Sequence, residues 1–596
     1  MAINTTVPIV FEPRLTSNSK LVLEKRYLRR NEIGEISENP DDMFRRVAKA
    51  VASIECKYDR QADVEAVIDD FYRLMASLEF LPNSPTLLNA GTGHGQLAGT
   101  MVLPIQDTLE SVFDTVKYAA LVHKGGSGIG FNFSSIRPRS DSVGDRQGVA
   151  FGPLGLLDIL SRATLNIRQG GIRRGCNSAM LRVDHPDIME FIQAKQDPST
   201  FANFFTCIGL TDDFMERVKT EENYPLVHPV SGRTVGLLNA GFVLKKIADL
   251  SWKTGDPGVI FLDRVNRDNP TPQHGDLDHV SGCGEQPLLP NEFCHLGSIN
   301  LSRMLFIDGD RAEIDFDKLG KVVRSAIRFL DNCIDLTRYP SPVMERATLR
   351  TRKVGLGIMG FADLLLQMRI PYDSTKALDV ARRVMKYINR EAHETSRELA
   401  LERGLYPGYN DTGEPMRNAT CTTIAPTGTI SLIAGCTSGI EPAFAMAFIR
   451  NAFHGEHHLL DINPHFKDAF EQAGIFSCQL VQRLVHNNDL PLMPEVSEDL
   501  KGVFINAHTV SPEWHVRMQA AFQEHTDSAV SKTVNLPQHA SQQDVLDILH
   551  LAYRLGLKGI TVYRDCSRSN QPFCNGSVGD ELVSGYFNSL RRIDHA

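Results

Sequence analysis

The chain has 596 residues, a net charge of −9, and 42% hydrophobic against 23% charged residues, the balance of a soluble globular protein able to bury a large core. Its mild acidity gives no general attraction for nucleic acid or a membrane surface, and no apolar run approaches the length of a span. Met1 to Arg14 lack the basic-then-apolar layout of an export signal, so the expected compartment is the cytoplasm. Eleven cysteines are scattered without any Cys-x-x-Cys spacing, which argues against a disulfide framework, a cysteine zinc site or any bound metal of that kind.

Residues 1–95 read as a mainly helical region. Pro40-Asp41-Asp42 opens an amphipathic helix with acids in its first turn, and a second helix is expected from Asp63 to Leu78. Leu81 to Gly91, with two prolines and several small donors, reads as a loop. From residue 96 to 568 short apolar runs alternate with helices. The expected strands are Thr100–Pro104, Phe131–Phe133, Ala179–Val183 and Phe205–Leu210, and the expected helices are Leu109–His123, Leu154–Ile167 and one from Pro186. Such alternation predicts an α/β fold with parallel strands, organised as one barrel-like domain. Residues 569–596 form a polar tail.

Five stretches invite a functional reading. Gly355-Leu356-Gly357-Ile358-Met359-Gly360 matches a dinucleotide fingerprint letter for letter, but lacks a clear preceding strand and a following acid, so close helix packing is the expectation. Ala425-Pro426-Thr427-Gly428-Thr429-Ile430-Ser431 offers hydroxyls and free N–H groups for a phosphate, or an ordinary helix cap. His454, Glu456, His457 and His458 resemble a metal cluster, yet Gly455 weakens the helix needed to align them, and a solvated loop is expected. Arg173-Arg174, in a glycine-rich loop, can grip an anion or simply be exposed. Finally, Ser281-Gly282-Cys283-Gly284-Glu285-Gln286-Pro287 places a thiol and a carboxylate two residues apart in a tight loop.

The order of segments resembles the large catalytic chain of ribonucleotide reductases, specifically the adenosylcobalamin-dependent class II. The matching pieces include Asn83-Ser84-Pro85-Thr86-Leu87, His123-Lys124-Gly125-Gly126-Ser127-Gly128, Gln169 to Gly175, Cys283 to Pro290, Gly297 to Leu301, Met359 to Asp363, Ala425 to Ser431, Ser438 to Pro442 and Lys558 to Asp565. The resemblance implies a ten-stranded α/β barrel with a central finger loop. It gives Cys283 the role of the thiyl-radical cysteine that abstracts a ribose hydrogen, and Glu285 that of the carboxylate taking a hydroxyl proton. Ser84, Thr86, Gly126, Thr427, Gly428, Thr429 and Ile430 match the substrate cradle. Asp107, Arg173 and Arg174 match a nucleotide-effector region at a homodimer interface. Only one tyrosine stands at Val562-Tyr563, where a relay pair would fall in class I. The resemblance therefore implies adenosylcobalamin as radical source and no radical-generating small subunit.

Three stretches depart from the family. Thr100 stands where the first redox cysteine belongs, although its partner, Cys294, is present; Ser281 replaces an asparagine; Phe205 and Cys207 replace Asn and Ser. A threonine hydroxyl cannot be oxidised to a disulfide. The expectation is a radical enzyme acting on a nucleotide's ribose with a redox-neutral outcome: epimerisation, isomerisation or elimination. The alternatives are a true reductase rescued by a thiol from Cys207 or Cys176, and a silent nucleotide- or cobalamin-binding homologue.

Overall fold

The computed structural model describes residues 13–144, 146–170, 173–309, 311–411, 413–452, 457–488, 490–568, 573–574 and 578–593. His454 and Glu456 of the histidine-rich stretch, Gly171 and Ile172 of the glycine-rich loop, and much of the 569–596 tail lie outside them.

In the helical region, α1 (Pro40–Ala52) starts at a reciprocal cap: Asp42 N–H donates to Asn39 Oδ1 at 2.9 Å and Asn39 N–H donates to Asp42 Oδ2 at 3.2 Å. Asp63 caps α2 (Val64–Ala76). The stretch read as a loop is instead β1 (Phe80–Pro82) followed by α3 (Ser84–Asn89). The reason is local. Asn83 accepts the Thr86 N–H at 3.0 Å and Pro85 sits in the first turn, where its missing N–H costs nothing.

The barrel is a ring of two halves, one of five strands and one of four strands joined through a bridged segment. In the first, β2 (Thr100–Leu103), β3 (Gly128–Asn132), β4 (Asn177–Arg182), β5 (Phe204–Leu210) and β6 (Gly258–Phe261) run parallel. The second half begins with β7 (Phe293–Asn300) and β8 (Val354–Met359), which are parallel. Bridges Leu356↔Thr422 and Ile424↔Val530 carry it on to β9 (Thr533–Leu536), which pairs with β10 (Gly559–Arg564). The halves meet antiparallel at β2–β7 and β6–β10. β1 joins β7 to complete a ten-stranded sheet. Helices cover the outside: α4 (Leu109–Gly125), α5 (Gly152–Thr164), α6 (Phe316–Leu336), α7 (Thr375–Arg403) and α8 (Pro512–Gln523) among others.

The Gly355–Gly360 fingerprint is strand β8 and not a helix contact. A Cβ at Gly357 would stand 2.5 Å from the Thr423 carbonyl oxygen, and one at Gly355 2.5 Å from Gln286 Nε2. Glycine is there because the neighbouring strand and the finger loop come too close for a side chain.

The helical region is fastened to the barrel by a buried ion network. Asp331 on α6 is 0% exposed and accepts from Arg352 at 2.7 Å and Arg403 at 2.9 Å, with Arg417 at 3.5 Å. Asp335 accepts from Arg352, from Lys57 at 2.8 Å and from Tyr58 at 2.6 Å. Burial alone would raise both carboxyls, but the surrounding arginines hold Asp331 and Asp335 below their usual range. A depressed folded-state pKa is stabilising above the unfolded value, and that contribution is lost as pH falls through the folded value. Asp331→Ala, which leaves three arginines short of a partner, is expected to cost about 3–5 kcal/mol in denaturant titrations. The wild-type protein should lose stability below about pH 4, and a pH-independent melting temperature there would refute this account.

Candidate active site

Several stretches far apart in sequence converge on a cavity of about 320 Å3 inside the barrel. The loop at 281–287 is pinched by a bridge between Val280 and Pro287, and by Ser281 N–H donating to the Gln286 carbonyl at 2.8 Å. Gln286 N–H in turn donates to Ser281 Oγ at 3.2 Å. Gly284 takes φ +81° at the tip, a conformation that a side chain rarely tolerates. The turn exposes Cys283 and folds Glu285 inward to 4% exposure.

The loop is also tied from behind. The Glu285 carbonyl accepts the Thr423 hydroxyl at 2.7 Å and the Ala529 N–H at 3.0 Å, while Ser528 Oγ donates to Gln286 Oε1 at 3.0 Å. With the backbone held, the Glu285 side chain keeps one oxygen, Oε2, without a hydrogen-bond partner among the described residues. Burial raises its pKa, offset in part by its own N–H and the Ser281 hydroxyl. A buried carboxylate with an unmet acceptor is a stronger base than an exposed one and is ready for a ligand hydroxyl.

Around this pair the cavity is lined by Ser84, Gly126, Thr427, Gly428, Thr429 and Ile430, together with Thr100. Ser84 Oγ shares a 2.7 Å hydrogen bond with Tyr27. Thr100 is 3% exposed and its Oγ1 has no partner among the described residues; Asn83 Nδ2, also on the cavity wall, is in the same position. Thr86 does not line the cavity. It is wholly buried, with its hydroxyl 2.9 Å from the Leu97 carbonyl, so it supports Asn83 and leaves the cavity face to its neighbours.

Thr100 and Cys294 are direct cross-strand partners on β2 and β7. Cys294 is 0% exposed and absent from the cavity wall, and its Sγ lies 3.7 Å from the Lys353 carbonyl; burial pushes its thiol well above the ordinary range. Cys207 is likewise buried, among Met180, Ile260 and Val280. Cys176, in contrast, lines the cavity, and its Sγ lies 3.8 Å from Cys283 Sγ. Of the two candidate replacement thiols, then, only Cys176 reaches the cavity.

Asp107 lies elsewhere, paired with Arg137 at 2.6 Å. Arg173 and Arg174 belong to a short hairpin whose backbone pairs with Gln169 and Arg168. Asn83, Gln169 and Cys176 on the cavity wall were not singled out as ligand contacts from sequence. For Asn83 a signal was available, since an Asn-x-Pro-Thr cap fixes which way the asparagine points.

Comparison with known proteins agrees with this arrangement. Residues 13–95 match the family model described as "Ribonucleotide reductase, all-alpha domain", and residues 98–414 and 412–563 match "Ribonucleotide reductase, barrel domain". A vitamin B12-dependent ribonucleoside-diphosphate reductase of Thermoplasma acidophilum is 42% identical, over 95% of this chain and 81% of that relative. One of the same name from Mycobacterium tuberculosis is 43% identical over 94% and 81%. The alpha subunit of the Actinobacillus ureae class Id ribonucleotide reductase shares the fold at a TM-score of 0.75 and 21% identity, covering 93% of this chain and 97% of that one. The chain is an enzyme of the ribonucleotide reductase family, and it belongs with the relatives named vitamin B12-dependent.

Proposed function

We propose that this protein is an adenosylcobalamin-dependent thiyl-radical enzyme that acts on the ribose of a nucleotide, and that its net reaction is redox-neutral: an isomerisation, epimerisation or elimination. The observation that carries the proposal is the cavity itself. It presents a sulfur and a buried base to one ligand while the threonine at 100 occupies the cross-strand place opposite Cys294.

The residues present fit the cofactor. Cys283 is exposed, and open space surrounds the point where a Cβ would project from Gly284, so there is room beside the sulfur. A tyrosine relay has little support: Val562 is buried, and Tyr563 packs toward Gly255 and is absent from the cavity wall. When bound, the cofactor supplies the one-electron chemistry that removes the hydrogen atom from Cys283. The remaining steps belong to this chain. Cys283 Sγ takes a hydrogen atom from a ribose carbon, so that a C–H bond breaks as an S–H bond forms. Glu285 Oε2 accepts the proton of the adjacent hydroxyl, and the Thr427–Ile430 stretch with Ser84 holds the phosphate end. Returning that hydrogen and proton consumes no external electrons.

A second reading is favoured by the 3.8 Å approach of Cys176 to Cys283. In it, Cys176 supplies a reducing thiol in place of the one absent at 100, and the product is a 2′-deoxynucleotide. That route needs a further thiol to complete a disulfide, because Cys283 must remain free to return its hydrogen.

The effector region and homodimer are proposals on the same footing. Leu109, Phe113 and Leu121 leave an exposed apolar stripe on α4 that a second copy can cover. The Arg173–Arg174 hairpin runs two residues later into Cys176, so a ligand held there would be felt at the cavity wall. Among the described residues no helix is long and apolar enough to cross a membrane.

Incubation with adenosylcobalamin, dithiothreitol and a panel of ribonucleoside di- and triphosphates, followed by mass spectrometry, separates the two outcomes. A product of unchanged mass, or one short of water, supports the redox-neutral reaction; many turnovers of a 2′-deoxynucleotide defeat it. Cys176→Ser decides the second reading, since it should abolish deoxynucleotide formation but leave a redox-neutral turnover intact. Cys283→Ala should be inactive on every substrate, and Glu285→Gln should lose about 10²–10⁴ in rate. With the pKa of Glu285 raised, the wild-type rate should fall with acidification through a limb above the ordinary carboxylate range. A flat profile from pH 5 to 8 in both variant and wild type is the result that removes Glu285 from the chemistry.

A further inference from the structure

A groove of about 700 Å3, roughly twice the volume of the substrate cavity, runs along the outer face of α7. Its basic lining comes from Arg383, Lys386, Arg390, His393 and Arg397, with His525 reaching in from just beyond α8. On a helix, residues three to four apart share a face, so the spacing 383–386–390–393–397 aligns five cations over some four turns. Among the described residues no carboxylate lines the groove. The acids that balance the face sit at its margins: Glu391 holds Arg324 and Arg390, Glu414 holds Arg397, and Asp527 holds His393 at 2.9 Å. Arg383 and Lys386 make no ion pair among the described residues; the first instead stacks on Phe316, 5.1 Å from the ring centre. Arg390 stacks on Tyr387 in the same way, at 4.8 Å.

A solvated helix face is the plainer account of a run of cations. Two features go beyond it. The cations border a concavity floored by the Phe316–Tyr387 ring pair, whose centres are 4.8 Å apart, and that floor preorganises two guanidinium groups. Arg383 and Lys386, three residues apart and without an acidic partner among the described residues, also repel each other, and an anion bound between them would relieve that repulsion. We propose that this groove binds a polyphosphate anion, either a free inorganic chain or the phosphates of a nucleoside triphosphate, at a site separate from the substrate cavity.

The floor of the groove is wired toward that cavity. Asn389 and His393 both donate to Asp527, whose carboxylate also accepts the backbone N–H groups of Cys421 at 2.8 Å and Thr422 at 3.1 Å. The next residue, Thr423, holds the Glu285 carbonyl. The same contacts occupy Asp527, so the trio His393, Cys421 and Asp527, close enough to suggest a metal site, is better read as a structural clamp.

The test is titration calorimetry of the full chain with inorganic tripolyphosphate and, separately, with ATP. Each is run on the wild type and on the doubly substituted Arg383→Glu/Lys386→Glu protein, whose changes lie on exposed positions away from the catalytic machinery. The wild type should show a tripolyphosphate site that weakens as salt is raised and that the substitutions weaken at least about tenfold. Should ATP bind that site more tightly than tripolyphosphate, the ligand is a nucleoside triphosphate; equal affinity means that only the phosphates are recognised. Identical tripolyphosphate binding by both proteins, or none by either, overturns the proposal. Turnover at Cys283 is read independently of this binding, so a failure here leaves the catalytic assignment untouched, and the reverse holds too.

Discussion

The carbonyl oxygen of Glu285 is where three distant parts of the chain are made to agree. It takes one hydrogen bond from the Thr423 hydroxyl and one from the Ala529 N–H, and both donors belong to the bridged segments that close the barrel between β8 and β9. Remove that agreement and the finger loop keeps its internal turn and the Ser528–Gln286 side-chain bond, but its backbone loses both ties to the barrel wall at Glu285. With it, the backbone is satisfied without help from the side chain, and the carboxylate of this cavity-lining residue can be left with one buried oxygen that has no partner among the described residues. An unmet buried acceptor is normally destabilising by about 1–3 kcal/mol. The double anchoring is what makes such a cost sustainable in this loop.

The same logic explains the rest of the wall. Thr100 and Asn83, which also line the cavity, likewise carry buried polar atoms without a partner among the described residues, while their backbones lie in a strand and a helix cap. Polar atoms inside this barrel are thus of two kinds. The carboxylate oxygens of Asp331 and Asp335 are all partnered, and Asp335 ties the helical region to the barrel through Lys57 and Tyr58. Those around Cys283 are left open and await a ligand. The distinction is drawn by hydrogen-bond accounting alone.

Much of this was readable from the amino acids, and the limits follow physical lines. The capped helix at Pro40 depends on neighbours three residues apart, and it stands where the pattern placed it. The strands at 100, 177 and 204 follow from short apolar runs. Local reasoning failed at Gly355–Gly360, because those glycines answer to Thr423 and Gln286, which are distant in sequence. It failed again at Asn83–Asn89, where a turn-rich composition hid a capped helix. The opposition of Thr100 and Cys294 came only through the family resemblance, since strand register between residues so far apart leaves no local trace. The groove on α7 was overlooked for a similar reason. Its cations are visible as a periodic stripe, but the concavity comes from Phe316 on α6 and His525 just beyond α8.

The anchoring of Glu285 also sets an order of assembly. Its two donors lie 138 residues further on, at Thr423, and nearly as far again at Ala529, so on a ribosome the loop is made long before anything exists to hold it. Contacts of such sequence separation form late, after the entropy of closing the intervening chain has been overcome. The Cys283 sulfur therefore gains its fixed setting only once almost the whole polypeptide has emerged and the ring has closed. A truncated or stalled chain would carry the cysteine without its seat.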